Sequence, residues 1–213
     1  MAKVKISKKS TRIDMTAMCD VAFLLLTFFI LTATAKQPEP KIVDTPASTV
    51  QTKLPEEGVA AITVGDQEVF FNIPRALRRE TLKRVAEEKG LTFTEEEYNA
   101  FENMDGFGVP FNQLNGILKL PAAERNAGIQ HGIPYDSVND QLSVWIKQAR
   151  EANRQVLTDR LNAGEDVELK DVEVAIKGDA DEDYPTIKRI IDILQEQKKN
   201  KFFLVTNLRD EDF

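Results

Sequence analysis

The residue whose chemistry stands out is an acid in an apolar setting. Asp20 lies within MTAMCDVAFLLLTFFILTATA, Met15 to Ala35, the only stretch of this 213-residue chain apolar and long enough to cross a membrane. As a helix its 21 residues would span about 31 Å, against a hydrocarbon core of roughly 30 Å. A charge at the centre of such a helix costs about 2.5–3.5 kcal/mol on insertion scales. A helix serving only as an anchor would do better with Leu at that position. The chemistry open to a lone intramembrane carboxyl is to take up and release a proton or to pair with an ion. Thr16 and Thr27 stand four residues before and seven after Asp20, so all three fall on one face of a helix. The remaining faces are Val, Ala, Phe, Leu and Ile. A one-sided polar stripe points at protein or water rather than lipid, although threonines in such helices also bond their own backbone.

The flanks position this helix. Lys3, Lys5, Lys8, Lys9 and Arg12 precede it with a single acid, Asp14, while the whole chain carries a net charge of −7. By the positive-inside rule, residues 1–14 form a basic cytoplasmic tail and the acidic bulk is exported. That reading accounts for the basic tail without nucleic acid. A cleavable signal peptide ending at Ala33-Thr34-Ala35 is the rival, and would leave a secreted binding module with no membrane function. Against it, Asp20 interrupts the start of the apolar run, and the run is longer than a signal peptide needs. The single cysteine, Cys19, precludes an intrachain disulfide, and the single histidine, His131, belongs to no metal-ligand spacing.

Residues 36–58, with Pro38, Pro40, Pro46 and Pro55, read as an extended periplasmic linker. Residues 59–213 read as an α+β domain. Within it, 59–73 give two strands joined at Gly65-Asp66. A helix opens at Pro74 and closes at Gly90, and Thr94 with Glu97 forms a capping box. Pro110 begins a short helix within Phe107–Lys119. Asp136 or Ser137 begins the longest one, with Val138, Leu142, Trp145, Ile146, Ala149, Val156, Leu157 and Leu161 as its apolar stripe and Gly164 as its end. A strand at Val172–Ile176, a helix from Tyr184 or Pro185 to about Lys199, and a strand at Phe202–Thr206 make a crossover unit with parallel strands. Asp179, Asp181 and Asp183 begin like a calcium loop. Tyr184 then occupies the glycine position and Ile190 the bidentate-acid position, so the run reads instead as an acidic helix N-terminus. No phosphate-binding loop, nucleophile elbow or paired catalytic carboxylate appears, so neither an enzyme nor a cofactor is expected.

RIDMTAMCDVAFLLLTFFIL resembles the N-terminal signature of the ExbD/TolR biopolymer-transport family, roughly I-N-[VM]-T-P-[FML]-[IV]-D-[VL] followed by an aliphatic run. Asp20 takes the family's membrane acid and Thr16 its threonine, while Ala17 replaces a frequent proline. Thr27 falls where small polar or aliphatic residues are frequent. VEVAIKGDADEDYPTIKRIIDILQEQKKNKFFLVT resembles the family's C-terminal segment. The helical middle, about 74–165, exceeds the compact family pattern and reads as an insertion. The resemblance implies a single transmembrane helix and a small periplasmic domain with a mixed sheet. It implies a two-copy subunit within a pentameric ExbB-like ring in the bacterial inner membrane. That motor draws on the proton-motive force, with Asp20 carrying the proton, to drive a TonB-like protein. A TolR-like role in envelope integrity is the alternative within the family.

Overall fold

The computed structural model describes residues 15–32, 40–48, 54–55, 58–125 and 128–208. It divides into two units, residues 1–36 and 37–213. The first holds α1 (Met15–Thr32), none of whose side chains is buried by protein. Its 18 residues have a mean hydropathy of 2.0, which suits a spanning helix.

The second unit is α+β. β2 (Val59–Gly65) and β3 (Glu68–Asn72) form an antiparallel hairpin; β4 (Glu173–Gly178) runs parallel to β2, and β5 (Phe203–Leu204) parallel to β4, giving the order β3-β2-β4-β5. α7 (Tyr184–Glu196) crosses from β4 to β5, as the strand-helix-strand reading of the C-terminal section requires. Between β3 and β4 come α2 (Arg75–Lys89), α3 (Glu95–Glu102), α4 (Phe111–Lys119), α5 (Ala122–Arg125) and α6 (Gln141–Asn162). Period-two alternation decides the buried face of the sheet. Ala60, Ile62, Val64, Val69, Phe71, Val174 and Ile176 point into one cluster that also takes Ile190, Ile193 and Leu194 from α7.

The helical stretch 74–165, expected to be an insertion, shares this core. Trp145 of α6 is fully buried, stacks on Phe101 of α3 with ring centroids 5.7 Å apart, and meets Phe107 edge-on at 4.6 Å. Phe107 in turn meets Phe71 of β3 edge-on at 6.3 Å. The aromatic chain therefore runs from the helices into the sheet, and the 74–165 stretch is part of the domain's single described core.

Local signals place most boundaries. Gly90 caps α2 at φ 65°, donating to the Ala86 carbonyl. Thr94 and Glu97 form the capping box on α3. Four expectations need correction. The hairpin turn is Asp66-Gln67, both at positive φ (53° and 61°), one residue later than Gly65-Asp66, which is the pattern of a type I′ turn matched to the twist of the flanking strands. α6 begins at Gln141, because the Asp140 carboxylate accepts the Ser143 N–H and Tyr135 bridges to Asp140 ahead of it. Val138 thus sits in the preceding turn, 99% exposed, and Leu161 is also exposed; neither belongs to the stripe. α7 stops at Glu196, where Lys198 at φ 59° lets the Lys198 and Lys199 N–H groups donate to Gln195 and Leu194. The last strand is cut to Phe203–Leu204 because the chain then leaves the sheet for a second pairing.

That second pairing involves the stretch read as linker. Pro40 to Ser48 lies on the face of the sheet away from the helices. Val43 and Thr45 are buried there, and Val43 comes so close to Gly65 that a β-carbon on the glycine would approach its Cγ1 to 2.8 Å. β1 (Ala47–Ser48) pairs in parallel with β6 (Asn207–Leu208). Lys41 donates to Asp66 at 2.7 Å and Glu68 at 3.2 Å, and the Asp44 N–H donates to Asp179 at 3.1 Å. The basic 1–14 stretch, the expected helix end at 33–35 and linker residues 36–39, 49–53 and 56–57 fall outside the described residues.

Candidate functional site

Three polar side chains occupy one stripe of α1. At about 100° per residue, Thr16, Asp20 and Thr27 fall within about 40° of each other, with Thr16 about 6 Å below Asp20 along the axis and Thr27 about 10 Å above it. Asp20 is the only ionisable acid or base between Met15 and Thr32, and its carboxylate is exposed, as are Phe23 and Leu24 around it. The Thr27 hydroxyl donates to the Phe23 and Leu24 carbonyls at 3.0 and 2.9 Å. It spends its proton on its own helix and offers only oxygen lone pairs to a partner. Thr32 does the same toward Phe28, at 2.8 Å. The stripe therefore presents one carboxyl, with hydroxyl oxygens one and two turns away, on an otherwise apolar rod. Cys19 is a free, exposed thiol on the neighbouring face.

What this arrangement can do follows from solvation. An ionised carboxyl is stable against water or a polar lining, and a neutral one is stable against lipid or apolar protein. A proton gained or lost at Asp20 thus changes which environment the helix face prefers. The exposed Phe, Leu and Ile side chains of the rod, such as Phe29 and Leu31, need lipid or protein around them.

Among its described residues, the α+β unit holds no comparable chemistry. Of the alternating acids after β4, Asp179 is structural: its Oδ1 accepts the Asp181 N–H at 3.1 Å and its Oδ2 accepts the Asp44 N–H. Hydrogen bonds from the Asp181 and Asp44 N–H groups hold the Asp179 carboxyl below the usual aspartate range. Among the described residues, no cluster of His, Cys, Asp and Glu has the arrangement of a metal site. A groove of about 1090 Å³ opens between the start of α2 and the second half of α6, floored by Leu77, Val156, Leu157 and Val167 and flanked by Arg75.

The docked 40–48 segment is what sequence reasoning missed. A faint signal existed in the period-two burial of Val43 and Thr45, but it was masked by an apolar outward residue, Ile42, 87% exposed. Comparison with curated proteins and with solved structures gives no match. A family model described as biopolymer transport protein ExbD/TolR matches residues 7–208, nearly the whole chain. With its apolar N-terminal helix and mixed-sheet domain, the chain belongs to the ExbD/TolR family of biopolymer transport proteins, which are anchored in the inner membrane and work with membrane partners.

Proposed function

We propose that this protein is the ExbD-like subunit of an inner-membrane motor that spends the proton-motive force to energise TonB-dependent transport through the outer membrane. The observation that carries the proposal is Asp20, the one ionisable group in an 18-residue apolar helix. In this reading α1 sits in two copies inside a pentameric ExbB-like ring, with the N-terminus cytoplasmic and residues 37–213 periplasmic. Asp20 takes a proton at one polar contact, crosses an apolar one as the neutral acid, and releases the proton on the other side. Thr16 and Thr27 line the same face and offer hydroxyl oxygens to the carboxyl's neighbours. One charge crossing 100 mV releases about 2.3 kcal/mol, the same order as the cost of exposing the charged acid to lipid. Protonation and voltage are thus matched in size, and cycling between them turns or rocks the helix against the ring.

The test is Asp20→Asn, which keeps the shape and removes the titration. The expected outcome is loss of proton-driven uptake with undiminished co-purification of the ring subunit. Wild-type uptake by the variant together with an intact envelope would refute the role of Asp20. The TolR-like alternative is separated by the same variant: an envelope-integrity defect with normal outer-membrane uptake would assign the chain to that branch.

A further inference from the structure

The insertion does more than enlarge the core, because two of its segments lie along the outer edge of β3. The Phe71 N–H donates to the Phe107 carbonyl at 2.8 Å, and the Phe107 N–H returns the bond to Phe71 at 3.1 Å. The Ile133 N–H donates to the Val69 carbonyl at 2.7 Å. In a hairpin the odd residues Val69 and Phe71 are those whose backbone groups face away from β2, so these three bonds consume three of the four groups that an added strand would use there. Two glycines permit the approach. Gly132, at φ 87°, lies so close to β3 that a β-carbon would come within 2.8 Å of the Val69 nitrogen. A β-carbon at Gly108 would come within 2.3 Å of the Phe70 ring. Gly132 also donates to the Gly108 carbonyl at 2.8 Å, so the two segments are bonded to each other as well as to the edge. Beneath them, Phe107 and Ile133 are buried, at 2% and 1% exposure.

We infer that the segments 107–108 and 132–133 act as a resident edge cap, which closes the β3 side of the sheet to strand addition by a second copy of this chain. The occupant kept out is a second β3. A short, apolar strand carrying Val69, Phe70 and Phe71 with free backbone groups is a template for pairing with its own copy, and a sheet with such an edge associates unless the edge is covered. Among the described residues no strand pairs with the outer side of β5, so the cap makes the two sides of the sheet unequal. The inference does not depend on the chemistry of Asp20.

The experiment uses the full chain in detergent micelles, and has two arms. In the wild type, amide hydrogen exchange is read at Phe71, Phe107 and Ile133 and compared with Ile62 and Ile176 in the central strands. A resident cap exchanges with the central strands, within about tenfold. Edge amides that exchange more than about a hundredfold faster would show an edge that opens routinely and would overturn the inference. In the second arm, Gly132→Ala forces a β-carbon against β3. The expected result is at least tenfold faster exchange at the three edge amides with the central strands unchanged, accompanied by a concentration-dependent rise in association above the wild-type state. An edge that opens without added association would overturn it too. If the variant fails to fold, the wild-type arm still decides.

Discussion

Exchanging two residues on one face of α1 tests whether the depth of the acid matters as well as its presence. In Thr16→Asp/Asp20→Thr the composition, helix length and polar face are kept, and the carboxyl moves one turn, about 6 Å, toward the Met15 end. The geometry of α1 gives the size of the effect. Asp20 lies five residues from Met15 and twelve from Thr32, about 7.5 and 18 Å along the axis. For a field that falls evenly along the helix, a proton arriving from the Thr32 side gives up roughly 1.6 kcal/mol per 100 mV on reaching Asp20, and about 0.7 kcal/mol remains for the exit. From position 16 the arriving leg takes about 2.2 kcal/mol and the exit leg only about 0.1 kcal/mol, well below thermal energy. The exit would then have no electrical drive, and the acid would sit near the interface, where ionisation carries little solvation penalty. Proton-driven uptake should fall to the level of Asp20→Asn, measured as accumulation of a labelled outer-membrane substrate in energised cells. Ring co-purification should be unchanged. Uptake at the wild-type level from the exchanged protein would refute the claim that the motor uses the acid's depth.

Two further outcomes concern the domain. Trp145→Ala removes the stacked indole that joins α3, α6 and, through Phe107, the sheet. It should destabilise the domain by about 3–5 kcal/mol, and the sheet and insertion should melt in one transition rather than two when thermal unfolding is followed by circular dichroism. Asp171 is bonded by Arg150 at 2.9 Å and lies 3.4 Å from Lys199, which is itself buried. Burial alone would push its carboxyl up, but the Arg150 hydrogen bond and the Arg150 and Lys199 charges outweigh it, so the carboxyl lies below the ordinary value of 3.8. A depressed carboxyl contributes stability that is complete above its unfolded value and lost as pH falls through its folded value. Melting of the wild type and Asp171→Asn should therefore differ at about pH 6 and converge toward pH 3; a difference that stays constant would exclude this network as the cause.

How far the chain could be read from its letters depended on whether each signal was local. α1, the capping box at Thr94 and the glycine at position 90 are written within a few residues, and they fell where expected. The crossover around α7 was legible because Ile190 and Leu194 repeat at helical spacing between two β-rich runs. The start of α6 was misread because Val138, though apolar, belongs to a turn set by a contact between Tyr135 and Asp140. Docking of residues 40–48 depends on hydrogen-bond partners 25 to 162 positions away, such as Asp66, Asp179 and Asn207, and a window of sequence cannot display them. The shared core of insertion and sheet was hidden for the same reason, since Phe71, Phe107 and Trp145 are far apart in the chain and meet only in space. Asp20 was legible because its environment is the helix itself.

The parallel pairing of β1 with β6 ties the beginning of the domain's described residues to their end. A tension applied to the chain at Pro40 is met first by Lys41 on Asp66 and Glu68 and by Val43 against Gly65, and then by the Ala180-to-Asp44 and Asn207-to-Pro46 hydrogen bonds. The load is therefore divided between the β2–β3 hairpin and the C-terminal segment, and a pull on residue 40 would be felt at both.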